Sequence, residues 1–279
     1  MLVNLNDILI PARRGGYAVG LFNTTDTDML EAVIGAAERT RSPVIIGTAE
    51  VLLPYGELKL IAPSLLAAAK RASVPVALHY DHGLTLESCR EALELGFSSI
   101  MFDGSARPTR EDNISLTLEA VRMAHEFGAT VEGEIGHVGE AANGDGRTSD
   151  MYTTPEEAVE FVSLTGVDAL AVAIGTAHGA YKTRPCLDLC RLSAINERVS
   201  VPLVLHGGSG LSDDDFRNTV HNGISKINIF TDLCIAGERG MREGLAQGEG
   251  YLDIRNRKVA AISAEAERKM KIFGCSGKA

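Results

Sequence analysis

The chain has 279 residues, of which 45% are apolar and 23% charged, with no tryptophan and a formal charge of −10. That length accommodates two ordinary domains or one α/β barrel, and the composition is that of a folded globular protein rather than a disordered one. The acidic balance argues against nucleic acid or an anionic membrane surface as partner, since both demand a basic patch, so an anionic ligand would have to be held by local groups.

Five cysteines make an odd count without a C-x-x-C pair, which suggests neither a disulfide framework nor a thiolate zinc site. The first residues lack a basic segment followed by an apolar one, and no run of about 18 apolar residues occurs. A soluble cytoplasmic protein is expected.

A short helix ending near Arg13-Arg14-Gly15-Gly16 opens the chain. The apolar run Tyr17–Phe22 reads as a first strand, followed by a helical pattern over Asp28–Thr40, and Pro43 introduces Val44-Ile45-Ile46 as the second strand. A helix over Leu58–Ala72 leads to Val74–Leu78, a short β-prone run of the kind buried on both faces of a parallel sheet. This third strand delivers His79-Tyr80-Asp81-His82-Gly83. In it His79 and Asp81 face one side and Tyr80 and His82 the other, so a turn at Gly83 is needed to bring His82 beside Asp81.

Helix Leu86–Leu95 closes at Gly96, Ser99–Asp103 is the fourth strand, helix Arg110–Phe127 stops at a glycine, and Thr130–Ile135 is the fifth strand. A polar, glycine-rich loop from Gly136 to Asp150 precedes a helix opened by Pro155 with two glutamates in its first turn. Ala169–Gly175 and Val201–His206 read as strands six and seven, Ser212 with Asp215 as a helix-opening capping box, and Ile227–Phe230 as strand eight before two final helices. Eight strand-like runs alternating with helical patterns, with no linker-like break, predict a (β/α)8 barrel over residues 1–279 with extra helices at both ends; a long doubly wound sheet is the alternative.

Polar residues gather at the carboxyl ends of these strands: Asp81 and His82 on the third, Asp103 on the fourth, Glu134 on the fifth, His178 after the sixth and His206 on the seventh. In a barrel those ends form one mouth, where active sites sit. A lone histidine there would be structural, but three from three strands make the ligand set of a catalytic zinc with an open position. The loops Gly175-Thr-Ala-His-Gly179 and His206-Gly-Gly-Ser-Gly210, with Asn228–Thr231, can turn backbone N–H groups toward an anion. A phosphate site near the last strands is a recurring feature of such barrels.

Five segments together carry a resemblance: His79-Tyr-Asp-His-Gly83, Val131-Glu-Gly-Glu-Ile-Gly-His-Val-Gly139, Ala171-Val-Ala-Ile-Gly-Thr-Ala-His-Gly179, Leu205-His-Gly-Gly-Ser-Gly-Leu211 and Lys226-Ile-Asn-Ile-Phe-Thr-Asp232. In order and spacing the chain resembles class II, metal-dependent ketose-bisphosphate aldolases, in particular the tagatose- and fructose-bisphosphate branch. The resemblance implies a zinc ion on His82, His178 and His206, with Asp103 and Glu134 as ligands for a displaced or second metal. It further implies Asp81 as the acid/base for the hydroxyl on the carbon–carbon bond being cleaved. Asn23, Gly179, Lys182, Gly207, Gly208, Ser209, Asn228, Ile229, Phe230 and Thr231 become the sugar-phosphate contacts, and the backbone near Gly179 and Gly207 a site for a monovalent cation, Na⁺ or K⁺. Homodimers or homotetramers are implied as well, with the C-terminal helices as interface.

The implied chemistry is coherent in itself. Cleaving a ketose phosphate to dihydroxyacetone phosphate and an aldehyde leaves a carbanion beside a carbonyl, which a Lewis acid stabilises as an ene-diolate by several kcal/mol. A separate base must handle the carbon-bound proton, and Glu140 in Gly139-Glu140-Ala141-Ala142 is the candidate, displaced by comparison with the family's usual Gly-Gly-acid pattern. Phe230 stands where some members carry a polar residue, and Thr48-Ala49 where many have a phosphate contact. Arg255 and Arg257 join Lys182 as candidates for a distal phosphate. The competing readings are a barrel metalloisomerase or hydrolase and a non-catalytic phosphosugar-binding protein.

Overall fold

The computed structural model describes residues 1–136, 138, 152–179, 181 and 185–279. In chain order the elements are β1 (Leu2–Val3), α1 (Leu5–Gly15), β2 (Val19–Asn23), α2 (Thr27–Thr40), β3 (Val44–Ala49), a 3-10 turn (Glu50–Tyr55), α3 (Leu58–Arg71), β4 (Val76–Gly83) and α4 (Leu86–Glu94). Then come β5 (Ser99–Phe102), α5 (Arg110–Glu126), β6 (Thr130–Ile135), α6 (Pro155–Thr165), β7 (Ala169–Val172), α7 (Leu189–Arg198), β8 (Leu203–Leu205), α8 (Asp213–His221), β9 (Ile224–Ile229), α9 (Thr231–Ala246) and α10 (Tyr251–Ile272).

Strands β2 to β9 pair in sequence order, all parallel, and β2 pairs with β9 to close the ring. The closure excludes an open doubly wound sheet: the fold is a (β/α)8 barrel. Strands β2 and β3 are buried along their whole length, which is why they read as largely apolar runs. Each Leu or Ile removed from water here contributes roughly 1.5–3 kcal/mol. The helices start where the sequence marks them. Asp26, Thr85 and Thr109 cap α2, α4 and α5, and Thr154 with Glu157 and Ser212 with Asp215 form full capping boxes on α6 and α8.

Some boundaries move. The sixth predicted strand stops at Val172 rather than Gly175, because the backbone of Ala173 pairs with Thr153 instead of a neighbouring strand. The seventh begins at Leu203, after Pro202, which has no N–H to give a ladder. The eighth begins earlier, at Ile224, and ends at Ile229, leaving Phe230 as N-cap of α9.

Two features at the amino ends of the strands were not foreseen. β1 pairs with the start of β4, at Val76 and Ala77, whereas β5 joins β4 only from His79 on. α1 then lies against the strand starts. Its Leu5, Ile8, Leu9 and Ala12 are buried, the Leu5 N–H donates to Thr130 Oγ1 at 3.1 Å, Asn6 to Asp168, and the Arg13 guanidinium to the carbonyls of Asn196, Val199 and Val201. The amino end of the barrel is thereby covered. Among the described residues no helix is long and apolar enough to cross a membrane.

Candidate active site

The barrel interior is polar because three strands place ionisable or amide residues two positions apart, on one face: His79 and Asp81 on β4, Glu132 and Glu134 on β6, Lys226 and Asn228 on β9. Contacts between non-adjacent strands confirm the inward direction. Lys226 Nζ lies 2.7 Å from Glu132 Oε2, and the Asn228 amide donates to both Asp81 oxygens at 3.0 and 3.1 Å. Asn23 at the end of β2 donates to Asp81 Oδ2 at 2.7 Å, so two amides fix this carboxylate, which is 2% exposed. Burial alone would raise the Asp81 carboxyl, but His82, Lys226, His206 and His79 hold it well below the usual carboxylate range.

His82 reaches Asp81's side in an unexpected way. The reversal occurs at His82 itself, with φ of 104°, and not at Gly83, and it coincides with a register slip between β4 and β5 from Tyr80 to Gly83. A non-glycine residue held in this region costs on the order of 1–3 kcal/mol and persists only where its surroundings impose it. Here the surroundings are polar: His82 Nδ1 lies 2.9 Å from Asp103 Oδ2, and its Nε2 is 2.9 Å from His206 Nδ1.

His178 completes a cluster of imidazoles. Ring centroids are separated by 4.6 Å (His82–His206), 5.3 Å (His82–His178) and 5.6 Å (His178–His206), with planes 82° to 84° apart. One ring nitrogen from each lies within 4.8 Å of the others, and His82, Asp103 and Glu134 satisfy the same condition. Three ring nitrogens gathered this closely can serve as ligands to one cation at about 2.0–2.1 Å. Glu134 points the same way. Its Oε2 is buried without a hydrogen-bond partner, and burial, reinforced by Asp103, pushes its carboxyl up to about 8. Burial and the other two histidines bring His178 down to about 3, leaving a neutral imidazole suited to ligation. For His82, burial works downward, but Asp81, Asp103 and Glu134 outweigh it and raise the group to about 9. The donor set fits a divalent metal ion with imidazole ligands and a carboxylate alternative.

Above this cluster opens a cavity of about 540 Å³. Among the predicted residues, Asn23, Asp81, His82, Asp103, His178, Gly179, Gly207, Gly208, Ser209, Asn228, Ile229, Phe230 and Thr231 line it, whereas His206 and Glu134 are buried beneath its surface. Gly207 has φ of 64° and a Cβ there would sit 2.4 Å from the Ala177 carbonyl oxygen, so only glycine lets the loops after β7 and β8 approach this closely. The Tyr181 hydroxyl bridges the same loops, accepting from Ala177 N and donating to Gly207 O, both at 2.8 Å. The Ser209 hydroxyl accepts from the N–H groups of Phe230 and Asp232, each at 3.3 Å, at the start of α9.

Glu140 and Lys182 lie outside the described residues. Arg255 and Arg257 are not brought to the cavity: Arg255 pairs with Asp28 and Glu31 on α2, and Arg257 with Glu249. Among the described residues the lining carries no lysine or arginine; its outer wall is Ala49, Val51, Leu52, Leu84, Ala106 and Val138. Ala49 belongs to the Thr48-Ala49 pair singled out in the sequence, whereas the other apolar residues, Tyr181 and the Glu132–Lys226 pair were not anticipated as parts of the site. For the rest of the wall and Tyr181 the sequence holds no signal, but the i, i+2 spacing of charged residues within buried strands could have revealed the interior pair.

Comparison with known proteins agrees with this geometry. Residues 3–278 match the sequence model described as fructose-bisphosphate aldolase class-II. The fructose-bisphosphate aldolase of Geobacillus stearothermophilus is 38% identical over 100% of this chain and 99% of its own. The 6-phospho-5-dehydro-2-deoxy-D-gluconate aldolase of Shouchella clausii is 39% identical over 99% and 96%. The crystal structure of the YdjI aldolase from Escherichia coli K12 superposes with a TM-score of 0.91 at 38% identity, covering 100% of both chains.

Proposed function

Since the chain belongs to the class II fructose-bisphosphate aldolase family, we propose that it is a zinc-dependent lyase that reversibly cleaves a ketose phosphate into dihydroxyacetone phosphate and an aldehyde. The observation that carries this reading is the convergence of the His82, His178 and His206 nitrogens beside the doubly amide-held carboxylate of Asp81. His82, His178 and His206 would hold the zinc, with Asp103 and Glu134 as alternative ligands, and a bound ion would supply Lewis acidity.

The chain's own residues do the rest. Asp81, ionised and aimed by Asn23 and Asn228, takes the hydroxyl proton as the carbon–carbon bond breaks and returns it in the aldol direction. The loops at Gly179 and Gly207–Ser209, with the start of α9 at Phe230–Thr231, receive the phosphate through backbone N–H groups and the helix end. Glu140 exchanges the carbon-bound proton of dihydroxyacetone phosphate. The apolar outer wall excludes water from the aldehyde half. Exposed Ile235 and Leu245 on α9 and Tyr251 and Leu252 at the start of α10 support self-association into a dimer or tetramer. Five unpaired cysteines fit a reducing cytoplasm.

The test is elemental analysis combined with cleavage assays on tagatose and fructose 1,6-bisphosphates and a panel of aldehydes with dihydroxyacetone phosphate. Chelation should abolish turnover and zinc should restore it. A protein that binds sugar phosphates but cleaves none at any zinc level would replace the lyase reading with that of a binding protein. His206→Ala should lose stoichiometric zinc, and unchanged zinc content would discard the ligand assignment.

A further inference from the structure

We propose that Glu132 and Lys226 are positioning residues that fix the His206 ring in the tautomer whose bare Nδ1 faces the metal. The inference rests on the metal reading above only for its purpose; the tautomer itself follows from donor and acceptor counting. Glu132 Oε1 lies 2.7 Å from His206 Nε2, with both side chains fully buried. A carboxylate only accepts, so the ring must donate from Nε2. A neutral imidazole has one N–H, and Nδ1 is therefore the free acceptor. That nitrogen is the one turned to His82 Nε2, at 2.9 Å.

Lys226 makes the assignment robust. Its ammonium forms an ion pair with Glu132 Oε2, 2.7 Å away, while Oε1 is the oxygen that faces His206. The geometry is held from both sides. In the ring of strands β7 and β8 separate β6, which carries Glu132, from β9, which carries Lys226, so the pair spans the interior beneath His206 at the end of β8. His79 fills the remaining side, its Nε2 at 3.9 Å from Glu132 Oε2 and its Nδ1 beside Ser99.

A buried ion pair is weak evidence of stabilisation, since removing its ions from water costs several kcal/mol. A pair that served only to knit strands would be replaceable by neutral, similarly shaped groups without consequence for the metal. A pair that sets the ring's tautomer would not. Partners one step behind a metal ligand change metal affinity by 10–100-fold when removed.

The experiment uses the full-length chain with ¹⁵N-labelled histidine side chains, stripped of metal by chelator, and then titrated with zinc against a competing chromophoric chelator. In the parent, the His206 lines, identified by their loss in His206→Asn, should show a protonated Nε2 and a bare Nδ1. The opposite tautomer in the parent overturns the proposal outright, without any variant. In the neutral double variant Lys226→Met/Glu132→Gln, and in Glu132→Gln alone, His206 should shift toward a mixture of tautomers and zinc affinity should fall 10–100-fold, while a thermal melt reports the fold. Parent-like zinc affinity and tautomer in a folded variant would reduce the pair to a strand tie. If the parent carries the stated tautomer yet binds no zinc, the metal reading fails and the tautomer assignment stands.

Discussion

Asp81 is a carboxylate with almost no rotational freedom, since Asn23 and Asn228 hold both of its oxygens within 3.1 Å. Asp81→Ala should keep its zinc and its fold but lose cleavage by a factor of about 10²–10⁴, the range for a positioned acid/base. Turnover within threefold of the parent would remove Asp81 from the mechanism. Asn228→Ala frees one side of the carboxylate and should lower kcat more than it changes zinc content, measured on the same preparations. At this scale the sequence was partly legible. Histidines and carboxylates at strand ends announce a site, because few other pressures place them there. The positive φ of His82 was not read from the sequence, which placed the turn at Gly83; it coincides with the slip between β4 and β5.

On the proposed reading, loops and helices would carry the phosphate end of the site, and their closeness is what matters. The loop after β7 meets the loop after β8 through Gly207 and the Tyr181 hydroxyl, which satisfies a backbone donor on one and an acceptor on the other. Tyr181→Phe leaves both backbone groups unpaired, at about 1–3 kcal/mol for a buried group. Its expected signature is a raised KM for the phosphorylated substrate with a smaller effect on kcat; an unchanged KM would show that the loops keep their spacing without the hydroxyl. Element placement was readable wherever strands are buried on both faces or helices open on caps, as with Ser212 and Asp215. Strand ends were less so, because a barrel strand stops where its neighbour diverges: Ala173 leaves the ladder for Thr153, a partner some twenty residues distant in sequence. The two-residue β1 and the 3-10 turn over Glu50–Tyr55 are too short to generate a periodic pattern.

For the whole molecule, a metal held by the cluster of imidazoles and carboxylates at the mouth would link stability to metal. A ligand that binds only the folded chain adds about 2.7 kcal/mol at a hundred times its dissociation constant, so chelation should lower Tm by several degrees and zinc should restore it. A Tm indifferent to chelator would mean that the folded chain does not bind the ion appreciably. The other end of the barrel has a different consequence. With α1 laid across the strand starts and tied down by Arg13, the fold is a bottle stoppered at its base, and two fragments must depart by a single neck. On the proposed seating, the piece on the deep loops would wait for the piece at the apolar lip to clear. Product inhibition should record that queue: dihydroxyacetone phosphate competitive with the ketose phosphate, the aldehyde not.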